Sequence, residues 1–211
     1  MKFDGIIFDL DGTLWDSTRS VAESWNLTMK TEFGLEGGFY AADVAGIMGC
    51  TGAQIEERLF SRFGKRAHEM CAACMDREPA FVAEHGGDLY PGVEAMLQSL
   101  SESRPLFIVS NCQTGYVEAF LQYSGFGRFF RDFEYLGRRG LCKRDNIRLV
   151  MERHGLERCL YVGDTAHDRE SALDAGCGFI HAAYGFGRVE AAEAVIKSPA
   201  ELPGLLEKLE K

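Results

Sequence analysis

Nowhere does the chain hold an apolar run approaching the roughly 20 residues that a bilayer core requires, so no membrane-spanning segment is expected. Positive charge is also in short supply. The 23 Lys and Arg against 32 Asp and Glu leave a formal charge of −9, which argues against a nucleic-acid binder, because holding a phosphate backbone takes clustered cations that displace counterions. Any anionic ligand must therefore be caught by a local positive site. The opening Met-Lys-Phe-Asp-Gly lacks the charged-then-apolar layout of a secretory signal, and the cytoplasm is the expected location. Seven cysteines, an odd number with no framework spacing, favour reduced thiols over disulfides. His68-x-x-Cys71-x-x-Cys74 lacks a fourth ligand and lies in a helical-looking stretch, so it reads as small core residues and not as a zinc site. Internal repeats and low-complexity tracts are absent too.

What is present is an ordinary globular composition, 46% apolar and 26% charged over 211 residues, enough for one buried domain or for a domain carrying a smaller insertion. Short apolar runs closed by polar or small residues predict buried parallel strands at Phe3 to Asp9, Leu106 to Ser110, Cys159 to Gly163 and Phe179 to Ala183. Helical spacing lies between them. Val93, Met96, Leu97 and Leu100 form one stripe, Tyr116, Val117, Phe120 and Leu121 another, and Asn146 to His154 is helical as well. Ser198-Pro199-x-Glu201 carries the signals of a helix start. Alternating strands and helices predict an α/β fold with a parallel sheet.

One interval is too long. About 95 residues separate the first strand from the second, where a strand-helix-strand unit closes in roughly 30. The helix at Gly92 to Leu100 already supplies the crossover, so the stretch near 16 to 84 is surplus. Stripes at Ile55, Leu59, Phe60 and Phe63, and at Met70, Cys74, Arg77 and Phe81, make that surplus helical. The expected organisation is a core of residues 1–15 and 85–211 interrupted by a helical cap of residues 16–84.

Asp9 and Asp11 stand at the carboxyl end of the first strand, where open α/β sheets bind ligands, and they project to one side while Phe8 and Leu10 project into the fold. An isolated Asp-x-Asp-Gly is more often a plain turn. Here it has company: Asp164 ends another strand with Asp168 about one helical turn further on, Ser110 ends a third, and Lys143 precedes a helix. A parallel sheet would gather these acids, a hydroxyl and an amine at one edge. That set suits metal-assisted phosphoryl transfer, with carboxylates on Mg²⁺ and the lysine and hydroxyl on phosphoryl oxygens.

"FDLDGTLWDS", "VSN", Lys143 and "GDTAHD" resemble, in order and spacing, the four motifs of the haloacid dehalogenase superfamily. The helical insertion after the first motif and the segment "GCGFIHAAYGFG" are similar to the subgroup of phosphoglycolate phosphatase and beta-phosphoglucomutase. The resemblance implies a Rossmann-like parallel-sheet core flanked by helices, with an inserted helical cap. It also implies a Mg²⁺-dependent phosphatase acting on a small phosphorylated metabolite. On that pattern Asp9 is the nucleophile that forms an aspartyl-phosphate, and Asp11 protonates the leaving alkoxide and then activates water. Mg²⁺ is held by Asp9, the backbone carbonyl of Asp11 and Asp164, with Asp168 in the outer shell, and Ser110, Asn111 and Lys143 bind phosphate. The text "CKRDN" departs from the family, where proline often follows the lysine, and Arg138, Arg139 and Arg144 are nearby stand-ins for Lys143. His167 is expected to face outward, and Asp16 to start a helix at the hinge. A mutase would keep the covalent chemistry and return phosphate to a sugar; a dehalogenase would need no proton donor at Asp11; an idle binding module usually lacks an acid or the lysine. "AGIMGCTGAQ" is the cap stretch expected to bear on specificity.

Overall fold

A strand apolar on both faces must be covered on both sides, and the strands here are of that kind. In a computed structural model, which describes residues 2–36, 38–190 and 192–211, the chain begins with β1 (Gly5–Phe8), β2 (Trp15–Asp16), α1 (Thr18–Phe33), α2 (Ala41–Ala45), α3 (Gly52–Ile55) and α4 (Ala67–His85). It continues through β3 (Asp88–Leu89), α5 (Val93–Ser101), β4 (Leu106–Ser110), α6 (Tyr116–Ser124), β5 (Phe130–Tyr135), α7 (Leu136–Arg139) and α8 (Lys143–His154). The last elements are β6 (Cys159–Gly163), α9 (Ala166–Ala175), β7 (Gly178–Ala182), β8 (Val195–Ile196) and α10 (Leu202–Leu209).

Six strands form one parallel sheet in the order β5-β4-β1-β6-β7-β8. Side-chain alternation assigns Ile6, Phe8, Leu106, Ile108, Leu160 and Val162 to the core on one face, and Ile7, Phe107, Val109, Cys159 and Tyr161 to the core on the other. β1 is central, and crossovers leave it in opposite directions, so a crevice opens at its carboxyl end. The fold is therefore the expected α/β fold with a helical insertion. The four expected strands are all present. β5 and β8, at the two edges, had no apolar signature: "FRDFEY" mixes three aromatic with three charged residues, and β8 is only two residues long. Near the C-terminus Glu201 accepts from the Lys197 amide at 2.8 Å, one residue ahead of the expected cap at Ser198, and a 3₁₀ turn precedes α10.

The helical insertion leaves and rejoins the core through a two-residue antiparallel ribbon, Trp15 opposite Leu89 and Asp16 opposite Asp88. Asp16 Oδ1 accepts from the Thr18 amide and hydroxyl, which starts α1 as expected. Within the insertion Trp25, Phe39 and Phe60 have ring centroids 5.0–5.4 Å apart, in a cluster continuous with the core on one face of the sheet. The first expected stripe is not one α-helix. Glu56–Phe60 is a π-helical turn, and a 3₁₀ stretch follows, broken at Gly64 (φ 58°, ψ −125°). The second stripe is also corrected. Arg77 is exposed and paired with Glu32, whereas the buried line of α4 is Met70, Cys71, Cys74, Glu78 and Val82. A carboxylate thus occupies a core position. His68 is exposed against Glu56, while Cys71 and Cys74 are buried.

Candidate active site

The crevice at the end of β1 collects the sequence-predicted residues from five different elements. Asp9 follows β1 directly, Ser110 ends β4 with Asn111 next to it, Lys143 opens α8, Asp164 follows β6, and Asp168 lies in the first turn of α9. All six are buried, and Asp11 is half-buried.

Lys143 organises the base. Its ammonium donates to Asp9 Oδ1 at 3.0 Å and to Asp168 Oδ1 at 2.5 Å. Burial works against the ammonium, but Asp168 and Asp9 outweigh it and raise its pKa. The other oxygen of Asp168 accepts from the Thr165 amide (2.9 Å) and hydroxyl (2.7 Å), closing a capping box on α9. Burial pushes Asp168 up, but Lys143 and these hydrogen bonds hold it below the usual carboxylate range. One oxygen of Asp168 thus answers the lysine and the other the start of α9. Asp9 is pushed up, first by burial and then by Asp168 and Asp164, with Lys143 in opposition. None of the neighbouring arginines replaces Lys143: Arg138 and Arg139 face Glu134, and Arg144 is at the surface with Asp145. His167 is exposed.

Asp164 is held by one oxygen only. Oδ2 accepts from the amides of Phe186 (2.8 Å) and Gly187 (3.1 Å), whereas Oδ1 is buried without a hydrogen-bond partner. Burial and then Asp168 push its pKa up to about 6. Ligand oxygens of Asp9, Asp164 and Asp168 lie within 4.8 Å of one another. An orphaned carboxylate oxygen beside two more carboxylates fits a hard divalent cation, which prefers oxygen donors. Gly12 makes room for this arrangement: its φ is +82°, and a Cβ there would lie 2.3 Å from Asp164 Oδ2.

Asp11 faces away from the lysine. Its Oδ1 accepts from Ser17 Oγ at 2.6 Å, and the Tyr116 hydroxyl lies 3.0 Å from the same oxygen. Burial pushes Asp11 up to about 6 against the pull of those hydroxyls. An acid poised there can give and take a proton near neutral pH. Sequence reasoning missed Ser17 and Tyr116; Tyr116 had been placed on a core stripe, where its ring indeed lies. It also missed the amides of Phe186 and Gly187, although "YGFG" had been singled out. Asn111 Nδ2 donates to the Gly49 carbonyl at 2.9 Å, tying the core to the cap loop, and that loop faces the crevice through Ile47, Met48, Gly49 and Cys50.

Comparison with known proteins identifies the family. The model of the family described as haloacid dehalogenase-like hydrolase matches residues 6–182. A phosphoglycolate phosphatase of Escherichia coli is 30% identical over 214 residues, covering 89% of this chain and 84% of that protein. Its counterpart in Yersinia pseudotuberculosis is 28% identical over 200 residues with the same coverage. In three dimensions a haloacid dehalogenase-like family hydrolase from Streptococcus pneumoniae superposes with a TM-score of 0.81 at 23% identity, covering 96% of this chain and 98% of that one. With the family model spanning all four motifs and the same fold around them, the chain belongs to the haloacid dehalogenase-like hydrolases.

Proposed function

We propose that the protein is a Mg²⁺-dependent phosphatase that hydrolyses a small phosphomonoester through an aspartyl-phosphate. The proposal includes a division of the chain into a core of residues 1–15 and 85–211 and a cap of residues 16–84. The observation that carries the reading is the buried, partnerless Asp164 Oδ1 beside an Asp9 carboxylate fixed by Lys143. The names of the bacterial relatives support phosphomonoester chemistry.

In this reading Asp9 attacks phosphorus, and Asp11 protonates the departing alkoxide and later takes a proton from the attacking water. Ser110, Asn111 and Lys143 bind the phosphoryl oxygens; for Asn111 this means exchanging its hydrogen bond to Gly49. Asp9, the Asp11 carbonyl and Asp164 would hold Mg²⁺, with Asp168 in the outer shell. When bound, the ion offsets the carboxylate charges and those of the phosphoryl group. Release of inorganic phosphate from a panel of phosphomonoesters, with Mg²⁺ and with EDTA, tests the reading; full activity in EDTA would sink it.

The metal also has a signature in stability. Asp11 and Asp164 sit near 6 and Glu78 near 7, all raised above their ordinary values chiefly by burial. The folded chain therefore holds more protons than the unfolded one between about pH 4 and 7, and stability falls as pH rises through that window. A cation among the acids reverses part of the loss. Thermal melts are expected to show a larger Mg²⁺-induced rise in Tm at pH 7.5 than at pH 5; equal shifts would contradict cation binding at these carboxylates.

Asp11→Asn separates the two chemical steps. An alkyl alkoxide needs a proton as it leaves and p-nitrophenolate does not, so phospho-enzyme formation slows by about 10²–10⁴-fold with an alkyl phosphate and far less with p-nitrophenyl phosphate. Water attack slows for both. The phospho-enzyme then accumulates with the activated substrate and is read by rapid quench and mass spectrometry. Equal slowing of the first step, without accumulation, would make Asp11 a positioning residue.

A further inference from the structure

The cavity between the insertion and the ends of β1 and β4 has a fixed acid outside the four motifs. Asp9, Asp11 and Ser110 line it below, and Glu78 of α4 lines it from the insertion. Glu78 is 5% exposed. Trp25 Nε1 donates to its Oε2 at 2.5 Å and Gln113 Nε2 to its Oε1 at 2.7 Å, so one donor comes from α1 and the other from the loop after β4. Both donors are neutral. They fix the carboxylate's direction without cancelling its charge, and each oxygen keeps a free lone pair.

No Lys, Arg or His is found among the described residues that line this cavity. The ammonium of Lys143 at the base of the site is already matched by Asp9 and Asp168. Beyond the groups around the reacting phosphorus, a ligand in this cavity meets an apolar wall that includes Val44 and Ile55, the neutral polar groups of Asn111, Gln113 and Tyr116, and the buried carboxylate of Glu78. A second anion on the ligand would find no counter-ion among the described lining residues and would share a poorly screened cavity with Glu78. Burial also pushes Glu78 up to about 7.

Resting on the phosphatase reading above, we propose that Glu78 sets substrate class: it favours phosphomonoesters whose alcohol carries a hydrogen-bond donor, hydroxyl or ammonium, and rejects those whose alcohol carries a carboxylate. The chain thus parts from the substrate in its relatives' names, because its pocket offers a buried acid where a carboxylate would need a cation.

The test is a pair of near-isosteric substrates at pH 8 with Mg²⁺, 2-phosphoglycolate and 2-phosphoglycolamide, which differ in one charge. Wild-type kcat/KM is expected to favour the amide by about tenfold or more. Glu78→Gln is expected to bring the ratio close to one. Among two-carbon and three-carbon esters, 2-hydroxyethyl phosphate and 2-aminoethyl phosphate should each exceed propyl phosphate, and the larger of the two identifies the donor as hydroxyl or ammonium. A wild-type preference for phosphoglycolate overturns the proposal, and so does a ratio unchanged in Glu78→Gln. The wild-type ratio needs no variant, so it decides even if Glu78→Gln does not fold. Failure to turn over any of these esters, p-nitrophenyl phosphate included, would instead overturn the phosphatase reading.

Discussion

Asp9→Asn is expected to lower phosphatase turnover by at least about 10⁴-fold while leaving the fold in place, because an amide is nearly isosteric with the carboxylate but is not a nucleophile toward phosphorus. The surroundings sharpen the expectation. Asparagine keeps an Oδ1 for the Lys143 hydrogen bond and removes one of three mutually repelling acids. In EDTA the variant should melt at or above the wild-type temperature, and its response to Mg²⁺ should shrink. Phosphate release and thermal melts check both halves. Turnover near the wild-type rate would remove Asp9 from the chemistry, and a large drop in Tm would mean that the loss of activity reports misfolding.

Lys143→Met is expected to be the most destabilising single change at the site. Lys143 is 1% exposed and, among the described residues, is the one cation paired with Asp9 and Asp168, which are themselves buried. Methionine fills much of the same volume but leaves two carboxylates facing each other without a counter-charge. Breaking a buried pair in this way costs about 3–5 kcal/mol, which for a domain of this size lowers Tm by roughly 6–20 °C. Asp168 has little freedom to swing away, since Thr165 holds its second oxygen and the start of α9 depends on that contact. Urea unfolding in EDTA gives the measurement: a lower midpoint with an unchanged m value is expected. A change under about 1 kcal/mol would mean that the acids find other partners.

Much of this architecture was legible because the same residues serve two purposes. Asp9, Ser110 and Asp164 are polar stops at the ends of apolar strands, so the pattern that defines β1, β4 and β6 also marks where the chemistry gathers. The edge strands β5 and β8 were invisible for the complementary reason: one face meets water or another layer, and a mixed or two-residue strand leaves no apolar run. Glu78 was passed over because the expected stripe ran through its neighbour Arg77. The true buried line on α4 runs one residue further round than the stripe with Arg77, and the register is set by Trp25 and Gln113, which are distant in sequence. Ser17 and Tyr116 met Asp11 only through tertiary contact.

The ribbon of Trp15 and Asp16 against Asp88 and Leu89 bears on how such proteins diversify. Entry and exit of the insertion are already neighbours, so the entropy of bringing the ends together falls on four paired residues and hardly at all on the sheet. Loop-closure entropy grows only with the logarithm of length, and here the ends stay pinned whatever lies between them. Changes of length within the insertion are thus expected to bear first on what reaches the crevice and least on the register of β1 against β4 and β6. Selectivity and chemistry are thereby free to change at different rates, with residues such as Glu78 open to revision while Asp9, Lys143 and Asp164 stay where the sheet puts them.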